Sequence, residues 1–384
     1  MGKDILETAI ILVKVVAIFM LMVNMVPLLV WAERRGSAFI QNRLGPNRVG
    51  PLGLLQLAAD AVKFAFKEQL IPNGASKFLF QAAPVISLIP AALGLAAIPL
   101  SAPVPIEAFE WLGQTWGPYT LQFQGVNMNI GVIFILGVSS LGAYGILAAG
   151  WGSGSKYSLL GALRASAQMI SYELALGLSI VGILMIYGTF SLNEMMPLQQ
   201  GALKFSLLGK EIVVGFLPNW GLFVQPIGAL LFMVCSFAES NRLPFDMAES
   251  EAELVAGFHT EYGGFKMLLF FMGEYGHMIV ASCLFAIFYL GGYNIPFVSE
   301  AAVLDWARGI TGSANLGSLL TMLIFFVSLW TRVVLLLWLF IWVRWTLPRF
   351  RYDRLMDLGW KTMLPWALAN TAITAIMLYL GHRG

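Results

Sequence analysis

Residues 266–290 read KMLLFFMGEYGHMIVASCLFAIFYL, an apolar run with one lysine at its edge and one carboxylate, Glu274, and one imidazole, His277, inside. About 20 mainly apolar residues in helical rise cross the roughly 30 Å hydrocarbon core of a bilayer. Only a helix or a closed barrel satisfies its backbone there. The stretch predicts a transmembrane helix that carries a carboxylate and an imidazole within it.

The same pattern recurs along the chain. Apolar runs predict eight spans, near 5–31, 78–100, 128–150, 167–188, 221–238, 266–290, 317–342 and 362–381. Composition agrees: 58% of the 384 residues are hydrophobic and 11% charged, where a soluble domain carries about a quarter charged. The predicted fold class is an all-α integral membrane protein of about eight transmembrane helices plus an interfacial amphipathic helix. The first run is too long for the apolar part of a secretory signal, and Asp4 and Glu7 break its basic flank, so it is expected to stay in the protein. Neither a flexible linker nor an internal repeat divides the sequence, and 1–384 reads as a single transmembrane domain.

Lysine and arginine accumulate in cytoplasmic connections. The first connection holds Arg34, Arg35, Arg43, Arg48, Lys63, Lys67 and Lys77, the third Lys156 and Arg164, and the seventh Arg344, Arg349, Arg351, Arg354 and Lys361. Residues 101–127 have none, the fourth connection has only Lys204 and Lys210, and the sixth only Arg308. Both termini are thereby expected on the outer, periplasmic side. The basic residues are accounted for by orientation and give no reason to expect nucleic acid.

Within the cytoplasmic segment 32–77, QNRLGPNRVGPLG (41–53) is too rich in Gly and Pro for a helix and predicts a turned, basic loop. It leads into GLLQLAADAVKFAFKE (53–68), where Gln56, Asp60, Lys63 and Lys67 share one side of a helix and Leu54, Leu55, Ala58, Val62 and Ala65 the other. Such a helix lies in the membrane interface.

Cys235 and Cys283 fall in apolar spans, and His259, His277 and His382 are scattered. They supply neither a thiolate set for an iron–sulfur cluster nor facing histidines for a haem, so no cofactor or metal is expected in this chain. Any redox chemistry belongs to partners.

An ionisable group at the bilayer centre costs at least about 2.5–3.5 kcal/mol and by default marks function. Glu173 and Glu274 are the clearest such groups. His277 lies three residues after Glu274, on the same helix face, where the pair can hand on a proton; the plainer reading of His277 is a hydrogen bond to a neighbouring helix. Lys14 can reach outward along its own stem, and Arg332 either pairs with one of these carboxylates or contacts a pathway. The cytoplasmic connection 239–264 is acidic where basic residues are expected: Glu239, Asp246, Glu249, Glu251, Glu253 and Glu261 face only Arg242 and His259. Leu243, Pro244, Phe245, Met247, Leu254, Val255 and Phe258 interleave with the acids and predict a folded, partly buried segment. Glu249 and Glu253, four apart, are neighbours if that part is helical.

Four stretches carry a resemblance: AERRGSAFIQNRLGPNRVGPLGLLQLAADAVKFAFKE (32–68), GALRASAQMISYELALG (161–177), FAESNRLPFDMAESEAELVAGFHTEYGG (237–264) with FMGEYGHM (271–278), and LPRFRYDRLMDLGWK (347–361). Together they resemble the H-subunit family of NADH:quinone oxidoreductase, the bacterial counterpart of the first mitochondrially encoded subunit of complex I. The resemblance implies a multi-pass protein of the bacterial inner membrane that lines a quinone-binding chamber and joins the soluble redox arm, at the cytoplasmic face, to the small membrane-arm subunits. It implies that Glu173, Glu239, Glu249, Glu251, Glu253 and Glu274 couple quinone chemistry to proton pumping, and that Arg34, Arg43, Asp60 and Lys63 lie near the chamber. Quinone is then a substrate, with FMN and Fe–S clusters in partner subunits.

A membrane anchor of an energy-converting hydrogenase, or of a ferredoxin- or F420-linked complex, is the nearest alternative, and the dense loop matches favour the quinone enzyme. A secondary transporter also places carboxylates in helices, but the sequence shows neither paired broken helices nor a repeat. A passive anchor leaves the buried acids unexplained.

Overall fold

The structure is a computed structural model that describes residues 2–111, 114–207, 210–248 and 255–382. Seven of its helical segments are long and apolar enough to cross a membrane. They are α1 (Gly2–Ile40), α3 (Lys77–Ala97), the pair α4 (Gly131–Ser139) and α5 (Leu141–Gly152), α6 (Lys156–Tyr187), α10 (Gly264–Tyr289), α12 (Ala314–Thr346), and α13 (Tyr352–Asp357) continued through a π turn into α14 (Leu364–His382). The protein is an all-α membrane bundle, as its apolar runs predict.

The span expected at 221–238 differs. It is broken into α8 (Gly221–Val224) and α9 (Pro226–Glu239), because Pro226 has no N–H to continue a helix and disfavours a helical backbone at Gln225. At about 1.5 Å per residue the 14 residues of α9 reach only part of the way across the bilayer. Gln225, exposed by the break yet buried in the bundle, donates to Thr374 and accepts from Asn370 Nδ2 at 2.8 Å. The last helix therefore supplies the polar partners that the broken backbone needs.

Two further differences bear on the charges. α1 continues through Glu33, Arg34 and Arg35 to Ile40, and α12 includes Arg344, so these groups are held on helices rather than in connections. The basic-poor connections contain small antiparallel hairpins: β1 (Val104–Ile106) with β4 (Tyr119–Leu121), β2 (Phe109–Trp111) with β3 (Gln114–Trp116), and β5 (Ala202–Leu207) with β6 (Lys210–Pro218). Short helices α2 (Gln56–Phe66), α7 (Leu192–Leu198) and α11 (Glu300–Thr311) lie in connections. α2 is the amphipathic helix expected over 53–68, and none of its residues is fully buried.

α10 is the most enclosed span and packs against α1, α3, α9 and α12. Small residues also let helices close up elsewhere in the bundle: a Cβ on Gly150 would lie 2.3 Å from that of Ala162, bringing α5 against α6. Cys235 and Cys283 are wholly buried packing residues.

Candidate functional site

Ionisable side chains form a file through this bundle. It begins at Glu33, which hydropathy and charge patterning do not single out. Its carboxylate accepts from the Tyr275 hydroxyl at 2.5 Å and from Arg344 Nη1 at 2.5 Å, with Arg242 Nη1 at 3.7 Å. The Arg242 guanidinium lies 4.0 Å from the centre of the Tyr275 ring, a second means of holding a cation away from water. Helices α1, α10 and α12 and the segment after α9 thus meet on one carboxylate.

That segment is pinned from two directions. Gln168 of α6, fully buried, donates to the carbonyls of Ala238 at 2.8 Å and Phe245 at 2.6 Å. Arg349 Nη2 bonds Asp246 Oδ2 at 3.0 Å. Phe245, Met247 and Phe258 are buried, in accord with a folded segment, while Leu243 is only half buried and Val255 is exposed. Glu249, Glu251 and Glu253 lie outside the described residues, as does Leu254.

Glu274 follows, one residue from Tyr275 and on another face of α10. The sequence spacing offers His277 as its proton partner, but the nearer imidazole is His259, with Nε2 at 3.9 Å from Glu274 Oε1. Burial, and then the charge of Arg242, hold the His259 pKa down to about 3. His259 is neutral at physiological pH, and its contact with Glu274 is not an ion pair. His277 instead hydrogen-bonds the backbone of Ser87 on α3.

Glu274 and His277 do share a cavity of about 10 Å³ with Ser87, Gly142, Met169 and Glu239, the last residue of α9. Glu239 hydrogen-bonds Ser139 and lies close enough to Glu173 for their charges to interact. Glu173 hydrogen-bonds Ser140 at the joint between α4 and α5. Half buried, it opens onto a groove of about 780 Å³ between α5 and α6, walled by Leu136, Tyr144, Ile170 and Leu174. Groups predicted from three separate sequence regions, Glu173, Glu239 and Glu274, are therefore brought together.

On the other side of α1, Arg34 Nη1 bonds Asp60 Oδ2 at 2.6 Å, and Lys63 Nζ lies 3.4 Å from Oδ1. Burial alone would raise the Asp60 carboxyl, but its hydrogen bond and charge contact with Arg34, with help from Gln56 and Lys63, hold it below the ordinary value. Arg43 does not join this group; its Nε bonds Gln41 Oε1 at 2.6 Å. The loop between them requires Gly53, which sits at φ +76° with Pro46 O only 2.2 Å from where a Cβ would stand. Among the described residues, Arg332 reaches neither a carboxylate nor the file. It donates to the carbonyls of Gly292 and Asn294 and lies over Trp220 at 5.3 Å, fastening the connection after α10.

Glu33, Arg242, Tyr275, Arg344, His259 and Gln168 are the site residues that sequence reasoning misses. Glu33 has a signal: no proline interrupts the chain between Pro27 and Pro46, so the first helix has reason to run past 31. Among the described residues, no group of three His, Cys, Asp or Glu side chains is placed to hold a metal ion.

Fold and site together define a multi-pass, mainly helical membrane protein threaded by buried ionisable groups. Similarity to known proteins narrows this class. The family model described as NADH dehydrogenase matches residues 13–375. The chain is 63% identical over 380 residues to the NADH-quinone oxidoreductase H subunit of Bdellovibrio bacteriovorus, covering 99% of each chain. It is 44% identical to an H subunit of the same enzyme from Cytophaga hutchinsonii over 356 residues and 44% identical to NADH-quinone oxidoreductase subunit 8 of Rhodothermus marinus over 348 residues, covering 91% of each chain in both cases. The chain belongs to the H-subunit family of NADH-quinone oxidoreductase.

Proposed function

We propose that this chain is the membrane subunit of a proton-translocating NADH:quinone oxidoreductase, walling the quinone chamber and coupling quinone reduction to proton pumping. It sits in the bacterial inner membrane with both termini periplasmic, and binds soluble redox-arm subunits that carry FMN and Fe–S clusters as well as small membrane-arm subunits. Arg34, Asp60 and Lys63, with Arg43 on the neighbouring loop, serve the chamber. Glu274, Glu239 and Glu173, joined by Glu249, Glu251 and Glu253, carry protons. Glu33 with its two arginines sets the field at the chamber end of the file.

The observation that carries this reading is the succession from His259 through Glu274 and the small cavity to Glu239 and Glu173, which ends at a side groove. Carboxylates spaced this way in a low-dielectric bundle exchange protons rather than hold the fold, because a structural acid needs a cation and Glu173 and Glu239 bond serine hydroxyls instead. The test is Glu173→Gln in the intact complex. Quinone reduction and pumping are expected to fall at least tenfold, as for loss of a group that relays a proton, while electron transfer to an artificial acceptor upstream is unchanged. Wild-type pumping at normal enzyme content would remove Glu173 from the pathway.

A further inference from the structure

The cavity between Glu239 and Glu274 contains more than carboxylates. His277 is 8% exposed, and its Nε2 has no hydrogen-bond partner among the described residues. Its other ring nitrogen is taken by the backbone of Ser87. With Nε2 unpartnered, a bond from Nδ1–H to that backbone would leave the lone pair on Nε2. The lone pair is aimed across the cavity at Gly142, where a Cβ would stand 3.0 Å from Nε2. Asn241, 6% exposed, also lines the cavity, and its Oδ1 has no partner among the described residues, while its Nδ2 lies 3.4 Å from the Met169 sulfur.

Two buried acceptors turned into one space are costly unless something donates to both. At about 10 Å³ the space suits one water-sized sphere. Glu239 and Glu274 line the same space, but among the described residues no group of three His, Cys, Asp or Glu side chains is placed to hold a metal ion.

We propose that this cavity is a single-water site, with His277 and Asn241 as positioning residues that orient a proton-carrying water between Glu239 and Glu274. The proposal rests on the relay reading above. At rest the water donates its two O–H bonds to His277 Nε2 and Asn241 Oδ1. In transfer the carboxyl O–H of Glu239 breaks as a third O–H forms on the water. An O–H of that oxygen then breaks as one forms on the Glu274 carboxylate. The water is returned unchanged, no electron moves, and His277 stays neutral throughout.

Gly142 supports the assignment from the opposite wall. A Cβ there would stand 3.0 Å from His277 Nε2 and 3.4 Å from Cε1, so an alanine takes the water's place and moves the imidazole by a few tenths of an ångström, while the next neighbour, Met169 Cε at 3.9 Å, is at ordinary contact.

The test uses the intact complex. A high-resolution map is expected to show one solvent peak within hydrogen-bond reach of His277 Nε2 and Asn241 Oδ1, and to lose it in Gly142→Ala. Both Gly142→Ala and His277→Phe are expected to slow coupled quinone reduction roughly tenfold, the worth of one hydrogen bond in a rate constant. His277→Gln, which restores an acceptor oxygen, is expected to recover most of the rate; a merely structural imidazole would show no such division between Phe and Gln. Electron transfer to the upstream acceptor should be unchanged in all three. Absence of the peak in a map that resolves other buried waters would overturn the site, and wild-type coupling in His277→Phe with the peak present would overturn its part in transfer. If Glu239→Gln pumps normally while the peak persists, the relay reading fails and the water site stands.

Discussion

Replacing Glu33 with Gln removes one negative charge and almost no volume from the point where α1, α10, α12 and the segment after α9 converge. Arg242, with a side chain only 7% exposed, then keeps its charge against the Tyr275 ring with the carboxylate gone, and Arg344 loses a contact of 2.5 Å. Breaking a buried ion pair by deleting one partner typically costs about 3–5 kcal/mol. Arg344 is 21% exposed and can turn to water, which places the expected loss at about 2–4 kcal/mol. Tyr275→Phe deletes a single hydrogen bond to the carboxylate and should cost about 1.5–3 kcal/mol. Because both changes act on one carboxylate, the double variant should be less destabilised than the two singles added. Thermal unfolding of the purified complex, followed by loss of quinone reductase activity, measures all three. If Glu33→Gln and Tyr275→Phe melt with wild type, or if their effects simply add, the reasoning about a shared buried knot is wrong.

Two other outcomes follow from the geometry. Ala65 is exposed on α2, so Ala65→Trp should assemble normally while raising the apparent quinone KM several-fold for long-tailed quinone, if α2 walls the doorway; unchanged kinetics would contradict that placement. His259 titrates near the ordinary histidine value of 6.5 when unfolded and at about 3 when folded, so between these values the unfolded chain binds the extra proton. Stability is then expected to fall as the pH drops below 6.5, by about 1.4 kcal/mol at one unit below. His259→Gln should flatten this dependence in melts at about pH 7.5, 6.5 and 5.5, which bracket the unfolded-state value, and an unaltered slope would mean that His259 is not the group responsible.

Much of the bundle is legible because a bilayer imposes its length on every apolar run. Seven runs become long helices on that ground alone. Hydropathy places an apolar helix at 221–238, as found, but does not register that Pro226 breaks its backbone and that Gln225 needs partners from the last helix. It ends the first helix at 31, since charges at Glu33, Arg34 and Arg35 resemble a connection unless tertiary partners are known. The carboxylates of the file are visible individually as costly charges. Their order is not, because His259 displacing His277 as the near neighbour of Glu274 depends on how the segment after α9 folds back over α10. Arg332 eludes the sequence for the same reason: its partners are backbone carbonyls, which leave no mark there.

The central claim is that Glu239 gains and loses a proton as quinone is reduced. Redox-induced infrared difference spectra of the intact complex, wild type against Glu239→Gln, test it at the bond concerned. The account predicts a carboxyl C=O band in the wild-type difference spectrum that vanishes in the variant and reappears in neither direction of the redox cycle. Superimposable spectra from fully assembled enzymes would contradict it.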